Sequence, residues 1–466
     1  MDDYDLIVIG AGPVGENVAD YAVKRGLSAA IVEEELVGGE CSYWACIPSK
    51  TLLRSGHALA AARRVDGATQ AVTGDLDTAA VLRRRTAFTH DWDDASQVDW
   101  LGSAGIDLLR GHARLVGERE IEVAGVRHRA RAAIAVATGS VPRLPDIPGL
   151  EGAAPWSTRE ATGARVVPPS LAVIGGGVAA VELATAFARL GSTVTLLARS
   201  GLLGGQEPFA GELVADGLRE AGVDLRLGVS PERVDRDVDG RVRIALPGGE
   251  ELVAAELLVA TGRVPRTQDL GLDAVGLAPD GPLEVDDTLL VRGTDWLYAV
   301  GDVNGRALLT HQGKYQARAA GEAIAARYLG TPLDASEWGA HVATADHAAV
   351  PQVVFTDPEV ASAGLTEREA VRRGLRVRAV EYDLGAVAGA SIQADGYTGR
   401  AKAVVDEDRG VLVGVTLVGQ DVAELVHAAT IAIAGEVPIA RLWHAVPAYP
   451  TMSEVWLRLL EEYGRP

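Results

Sequence analysis

Residues 4–12 read YDLIVIGAG, an apolar strand-like run that ends in Gly10-x-Gly12-x-x-Gly15. A helical pattern (ENVADYAVKRG) follows, then a second apolar strand, SAAIVEE, that reaches Glu33. Each glycine has a physical task. Gly10 makes the tight turn, Gly12 lets a pyrophosphate approach the backbone, and Gly15 lets helix and strand pack closely. The helix N-terminus then faces the phosphate. A carboxylate about 20 residues on, here Glu33, is placed for ribose hydroxyls. The same grammar recurs at LAVIGGG (171–177), with Gly175-x-Gly177-x-x-Ala180, the helix VELATAFARLG and the strand TVTLLARS. Two such units in one chain predict two dinucleotide sites on parallel α/β sheets. The second strand ends in Ala198-Arg199 instead of an acid. An Arg there pairs with a 2′-phosphate that a carboxylate would repel, so NADPH is favoured over NADH at this site.

Two further segments are near duplicates, AVATGSVPRLP (135–145) and LVATGRVPRT (258–267). Each reads as a strand, a Thr-Gly turn and a Pro exit, the form expected where a chain crosses between nucleotide domains. TDWLYAVGDVNG follows, with Asp302 after a strand and a glycine, positioned to accept hydrogen bonds from a sugar-like chain. At 466 residues the chain predicts about three domains. The Pro- and Gly-rich exits IPGLEG, TGRVPRT and GTPLDASEWG set boundaries near 150, 265 and 340. The stretch 50–110 reads as helices of the first domain.

The net charge is −20, and Arg residues are dispersed among acidic stretches. Such a surface disfavours nucleic acid and anionic membrane as partners. No apolar run has the length of a membrane span. The chain enters a strand almost at once, leaving no room for a signal peptide, so a cytoplasmic protein is expected.

Cys41 and Cys46 are the only cysteines, and they sit together in GGECSYWACIPSK. Two cysteines are too few for a secreted disulfide framework. No His lies nearby to complete a four-ligand zinc site, so no metal is expected. Cys-x₄-Cys on a loop entering a helix suggests a disulfide that opens and closes. The competing reading is an inert staple, but so short a loop gains little entropy from a crosslink.

In this order, these motifs resemble the flavoprotein pyridine nucleotide-disulfide oxidoreductases, nearly end to end from YDLIVIGAGPVG to YPTMSE. The resemblance implies an α/β fold with an FAD domain at 1–150 and 265–340, an inserted NAD(P) domain at 151–264, and an α/β dimer-interface domain at 341–466. It implies that Gly10, Gly12, Gly15, Glu33, Gly39, Lys50, Thr138, Gly139 and Asp302 hold FAD. Gly175, Gly177, Glu182, Arg199 and Gly262 would surround NAD(P)H. Hydride would pass to the flavin and electrons on to the disulfide, with Cys46 as the thiolate beside the flavin and Cys41 as the interchange thiol. A helix N-terminus and Lys50 both favour a thiolate there, and Lys50 would pair with Glu182. The C-terminus would complete the site of a partner subunit, so a homodimer is expected.

The match breaks at the C-terminus. Disulfide-reducing members of the family carry His-Pro-Thr followed by a Glu, and the His handles the thiol proton. Here the segment is AVPAYPTMSEVW. Pro450, Thr451 and Glu454 fit, but Tyr449 takes the His position. An unperturbed Tyr has a pKa about three to four units above His and is a poor base at neutral pH. Losing a positioned base costs about 10²–10⁴ in rate. His444 lies five residues upstream as a possible substitute, and His427 sits in a helical stretch where a structural role is favoured. Soluble pyridine nucleotide transhydrogenases share the Tyr and a Trp at position 44, yet lack the second redox cysteine kept here as Cys46. Tyr43 and Trp44 either fill space or shape a substrate entrance. The expected activity is NAD(P)H-dependent reduction of a small or protein-bound disulfide through FAD and Cys41–Cys46. The alternatives are quinone, dye or nicotinamide-nucleotide reduction that needs no His, and a slow redox-sensing FAD protein.

Overall fold

A computed structural model describes residues 3–465. They form two compact units: residues 3–48, 86–143 and 263–346, and residues 49–85, 144–262 and 347–465.

The sheet of the first unit grows from strand Asp3–Ile9, whose side chains from Leu6 to Ile9 are almost fully buried. A strand buried on both faces needs a continuous apolar run, which LIVI supplies. It pairs in parallel with Ala29–Glu33 on one side and Val126–Val136 on the other; Ile7 lies opposite Ala30 and Ile134. Ile106–Arg110 extends one edge, and Glu120–Val123 with Ala113–Gly117 extends the other. Strand Leu297–Ala299 joins in parallel beside Val126–Val136, bringing the following residues, Gly301 and Asp302, to the carboxyl ends of the strands. Ligands bind at that end of an open α/β sheet.

Helices Pro13–Lys24 and Thr310–Leu329 pack closely because the second is lined with small residues. A Cβ on Gly313 would lie 2.5 Å from Val14 Cγ2, and one on Gly321 would lie 2.7 Å from Tyr21 Cβ. The near-duplicate segments meet as a two-stranded ribbon, Ser140–Pro142 antiparallel to Arg263–Pro265.

The second unit contains three sheets. A parallel sheet orders Asp224–Leu227, Thr193–Ala198, Ser170–Ile174 and Glu256–Val259. Helix Val178–Arg189 follows its central strand. A three-stranded antiparallel sheet spans 233–254. A five-stranded antiparallel sheet, 351–419, carries helices Val426–Ala434 and Glu454–Tyr463. Helices Cys46–Arg63, Thr78–Phe88 and Ala95–Ala104 occupy the stretch read as helical in the sequence. No helix among the described residues is long and apolar enough to cross a membrane.

Gly321→Ala tests the helix contact. Alanine gains about 1 kcal/mol of helix propensity, whereas overpacking against Tyr21 Cβ and the Val18 carbonyl costs roughly 1–3 kcal/mol. The expected outcome is a lower thermal midpoint; a raised midpoint would show that the two helices are not held this close.

Candidate active site

The first glycine loop is built from backbone pressed on backbone. Gly10 has φ +102°, and a Cβ there would meet the Ala137 carbonyl oxygen at 2.5 Å. A Cβ on Gly15 would lie 1.9 Å from the Gly10 oxygen, and one on Gly39 would lie 2.8 Å from Gly12 Cα. Helix Pro13–Lys24 starts with Pro in its first turn, and its N-cap, Gly12, offers no side-chain acceptor. Its positive end therefore favours an anion. Glu33 stands beside the loop: Oε2 accepts from the Ala11 N–H at 2.9 Å and Oε1 from the Glu35 N–H at 2.8 Å. Burial raises its pKa, and the two backbone bonds oppose that rise.

Around the ribbon, Thr138 donates to the Arg266 carbonyl at 2.6 Å. Beside it, Gly139 has φ +74°, and a Cβ there would project into open space. Ser140 donates to Asp302 Oδ2 at 2.6 Å, and Arg263 donates to Ser140 Oγ and Glu40, each at 2.7 Å. Burial pushes the Asp302 carboxyl up, while Ser140 and Arg263 hold it down. Ser140, Arg263 and Glu40 escaped the sequence reading. The only signal was that Ser140 and Arg263 each follow the Gly of a duplicated Thr-Gly.

Cys41 lies on a one-turn helix, Gly39–Tyr43, and Cys46 opens helix Cys46–Arg63. The expected loop is thus partly helical, because Gly38 at φ +106° turns the chain into a short helix. Both cysteines are partly exposed. Cys46 Sγ lies 3.3 Å from Thr310 Oγ1. A hydrogen bond with Cys46, burial and the negative charge of Cys46 push the Cys41 thiol up; Thr310 and Lys314 pull it down. Thr310 and Lys314 are one helical turn apart on Thr310–Leu329, and no sequence motif marked them.

Tyr43 is 1% exposed. Its hydroxyl donates to the Asp93 carbonyl at 3.4 Å, its own carbonyl accepts from Trp92 Nε1 at 3.2 Å, and burial pushes its pKa up to about 12. It fills the core. Trp44 is half-buried, with its ring 5.7 Å from that of Tyr43.

In the second unit Gly175 repeats the geometry of Gly10, with φ +141° and a Cβ position 2.3 Å from the Ala260 oxygen. Ala180 is fully buried in the place of the third glycine. At Gly177 and Gly262 an added Cβ would meet nothing within 4 Å, so both leave room for a ligand. Arg199 is exposed, one residue beyond strand Thr193–Ala198. The structure brings Lys50 and Glu182 together: Nζ lies 2.7 Å from Oε2. Glu182 is 2% exposed and accepts the Phe355 N–H through Oε1 at 2.9 Å, while Lys50 Nζ lies 5.2 Å from the Phe355 ring centre.

Near the C-terminus, Tyr449 is 76% exposed. Glu454 is buried, engages Arg458 through Oε1, and has no partner for Oε2 among the described residues. Thr451 caps locally, donating to the Ala448 carbonyl at 2.6 Å. His444 and His427 are both exposed.

Residues 4–323 match the family model described as pyridine nucleotide-disulphide oxidoreductase, and residues 350–459 match the dimerisation domain of the same family. A mercuric reductase from Shigella flexneri is 35% identical over 462 residues, covering 96% of this chain and 79% of the relative. A dihydrolipoyl dehydrogenase from Chlorobaculum tepidum is 34% identical over 464 residues, covering 97% and 95%. Among solved structures, the HOCl-induced flavoprotein disulfide reductase RclA from Escherichia coli aligns with a TM-score of 0.83 at 26% identity, covering 98% of this chain and 99% of that one.

Lys50→Met would leave the buried Glu182 carboxylate without its cation. Breaking a fully buried pair costs 3–5 kcal/mol; with Lys50 one-third exposed, a loss of about 2 kcal/mol is expected in urea unfolding. A change below about 0.5 kcal/mol would mean the pair is no more than a surface contact.

Proposed function

Because this chain belongs to the pyridine nucleotide-disulphide oxidoreductase family, enzymes that move electrons between a nicotinamide nucleotide and a cysteine pair through FAD, we propose that it carries electrons from NADPH to Cys46 and Cys41 and out to a disulfide. The observation that carries this reading is the cysteine pair itself: Cys41 and Cys46 are hydrogen-bonded to one another, with Cys46 at the start of an 18-residue helix and within 3.3 Å of the Thr310 hydroxyl.

The glycine loop fits a flavin dinucleotide: its backbone is cleared of side chains and an uncapped helix end faces it. Gly10, Gly12, Gly15 and Gly39 would take the pyrophosphate, Glu33 the ribose hydroxyls, Asp302 with Thr138 and Gly139 the ribityl side, and Lys50 the flavin. When bound, FAD supplies two-electron transfer between the nicotinamide and the cysteine pair. The residues of the chain do the rest. Thr310 and the helix N-terminus favour negative charge on Cys46. The hydrogen bond to Cys46 and burial keep the Cys41 proton in place until an acceptor arrives. Ser140, Arg263 and Glu40 fix the orientation of Asp302.

Gly175, Gly177 and Gly262 would cradle the nicotinamide nucleotide with Glu182 nearby. The exposed Arg199 supports a 2′-phosphate and hence NADPH. Residues 1–150 and 265–340 would form the FAD domain, 151–264 the NADPH domain and 341–466 the interface of a homodimer in the cytoplasm. In such a dimer Tyr449 and Glu454 would face the partner subunit's dithiol.

Tyr449 supports a second reading of the acceptor. With no imidazole at that position, a quinone, a dye or a second nicotinamide nucleotide, none of which needs thiol deprotonation, would be the electron sink. Mercuric ion also belongs among the candidates, by likeness to the mercuric reductases, although this chain has only Cys41 and Cys46 to hold it.

A panel of disulfides, quinones and mercuric ion, run on wild type and Cys41→Ser, separates these acceptors. On the disulfide reading, wild type turns over at least one disulfide and Cys41→Ser loses that turnover to background. Quinone turnover that survives in Cys41→Ser, with no disulfide turned over by wild type, would favour the second reading. Arg199→Ala should raise KM for NADPH by about tenfold, the worth of one charge-assisted hydrogen bond, and leave KM for NADH unchanged. Equal shifts for both nucleotides would remove the case for NADPH.

A further inference from the structure

Arg199 stands at the head of a segment that runs from strand Thr193–Ala198 to helix Pro208–Glu220. Two adjacent glycines, Gly204 and Gly205, interrupt it, and a Cβ on either would meet nothing within 4 Å. A segment with that freedom takes many conformations unless it is tied down. Here it is tied on two sides.

One side is the second glycine loop. The Leu203 N–H donates to the Gly176 carbonyl at 2.8 Å, and a Cβ on Gly176 would lie 3.1 Å from the Gly201 carbonyl oxygen. Leu203 is 4% exposed and sits at φ +50°, a left-handed conformation that a leucine keeps only where its surroundings hold it.

The other side is the five-stranded sheet, 351–419. Leu202, Leu203, Phe209, Ala210 and Val214 share one buried cluster with Val354, Val360 and Val418 of that sheet. Gln206 Nε2 donates to Gln352 Oε1 at 2.5 Å, and Arg368 Nη2 donates to the Gly204 carbonyl at 3.0 Å. Glu207 fixes the end of the segment. It occupies the N-cap of helix Pro208–Glu220, yet its side chain does not cap that helix. Oε1 instead accepts the N–H of Glu367, the first residue of helix Glu367–Arg372, at 2.7 Å, and Oε2 pairs with Lys402 Nζ at 3.0 Å. Lys402 belongs to strand Arg400–Asp406 and is 6% exposed; its Nζ also lies 2.6 Å from Glu367 Oε2 and 3.6 Å from Glu381 Oε1. A pair this buried resists opening, because either charge alone would be stranded away from water. Nothing in the electron path above uses it.

We propose that Lys402, paired with Glu207, holds segment 199–207 against the Gly175–Gly177 loop and so sets the preference for a 2′-phosphate through Arg199. This deepens the NADPH reading of Arg199 and rests on it. Guanidinium–phosphate pairing depends on a fixed approach, so loosening the segment weakens the 2′-phosphate contact. Gly175 is pressed on its other side against the Ala260 carbonyl, which keeps the contacts common to both nucleotides in place. Lys402 acts through the segment and is a positioning residue for nucleotide choice.

The test is calorimetric titration of NADP⁺ and of NAD⁺ into the oxidised, FAD-containing enzyme, which measures binding without turnover. The readout is the ratio of the two Kd values. Lys402→Met should shift that ratio toward NAD⁺ by about three- to tenfold, through weaker NADP⁺ binding. In an Arg199→Ala background, where the ratio has already moved by about tenfold, the same substitution should leave it unchanged, because both changes remove one contact. Gln352→Ala removes only the Gln206 bond and should shift the ratio the same way by about twofold; it decides the matter by the same readout if Lys402→Met does not fold. Weakening of both nucleotides by the same factor would make these residues structural only and overturn the proposal. So would an unchanged ratio, or a further shift in the Arg199→Ala background. An Arg199→Ala enzyme with the wild-type ratio would overturn the NADPH reading itself, and the proposal with it.

Discussion

Everything in the first unit depends on how closely the Gly10 turn lets strand, helix and neighbouring loop approach. The Ala137 and Gly10 carbonyls occupy the space in which side chains at Gly10 and Gly15, respectively, would sit. That closeness brings the N-terminus of helix Pro13–Lys24 to the carboxyl ends of the strands. It also sets Gly39, and with it the helix bearing Cys41, against Gly12. On the far side, Gly313 and Gly321 bring helix Thr310–Leu329 equally close, which carries Thr310 to Cys46. The dithiol is therefore positioned by backbone contacts on two sides, and its geometry tolerates little movement.

The electrostatics of the pair follow from that placement. Cys46 has a helix N-terminus and a hydroxyl to favour negative charge, whereas Cys41 is half-buried, hydrogen-bonded to Cys46 and disfavoured as an anion. Such an asymmetric dithiol assigns two roles without further help. On the proposed reading one sulfur, Cys46, would hold charge at rest, and the other, Cys41, a proton that must be moved before it can react. A chain with His before Pro-Thr has an imidazole to move that proton. Here the same position is Tyr449.

The glycine motifs, Cys41–Cys46 and Asp302 could all be found in the sequence, because each is a short pattern fixed by backbone conformation or by a count of rare residues; the Lys50–Glu182 pair, 132 residues apart, was implied only by the family resemblance. Gly10 and Gly175 are legible since no other residue fits both a positive φ and a carbonyl within 2.5 Å. Thr310, Lys314, Ser140, Arg263 and Glu40 were not legible. Thr310 meets Cys46 across 264 residues, and Arg263 meets Glu40 across 223. No local periodicity records those meetings. Tyr43 was ambiguous for a related reason: an aromatic between two cysteines reads equally as a wall or a filler, and only its burial shows that it packs into the core.

The most direct measurement is an anaerobic NADPH titration of the FAD-containing enzyme, followed by absorbance, in wild type and Cys46→Ser. If electrons reach the dithiol and charge settles on Cys46, a long-wavelength band from thiolate against flavin grows in wild type and is missing from Cys46→Ser. Absence of the band in wild type, or the same band in both proteins, would contradict an electron path through Cys46.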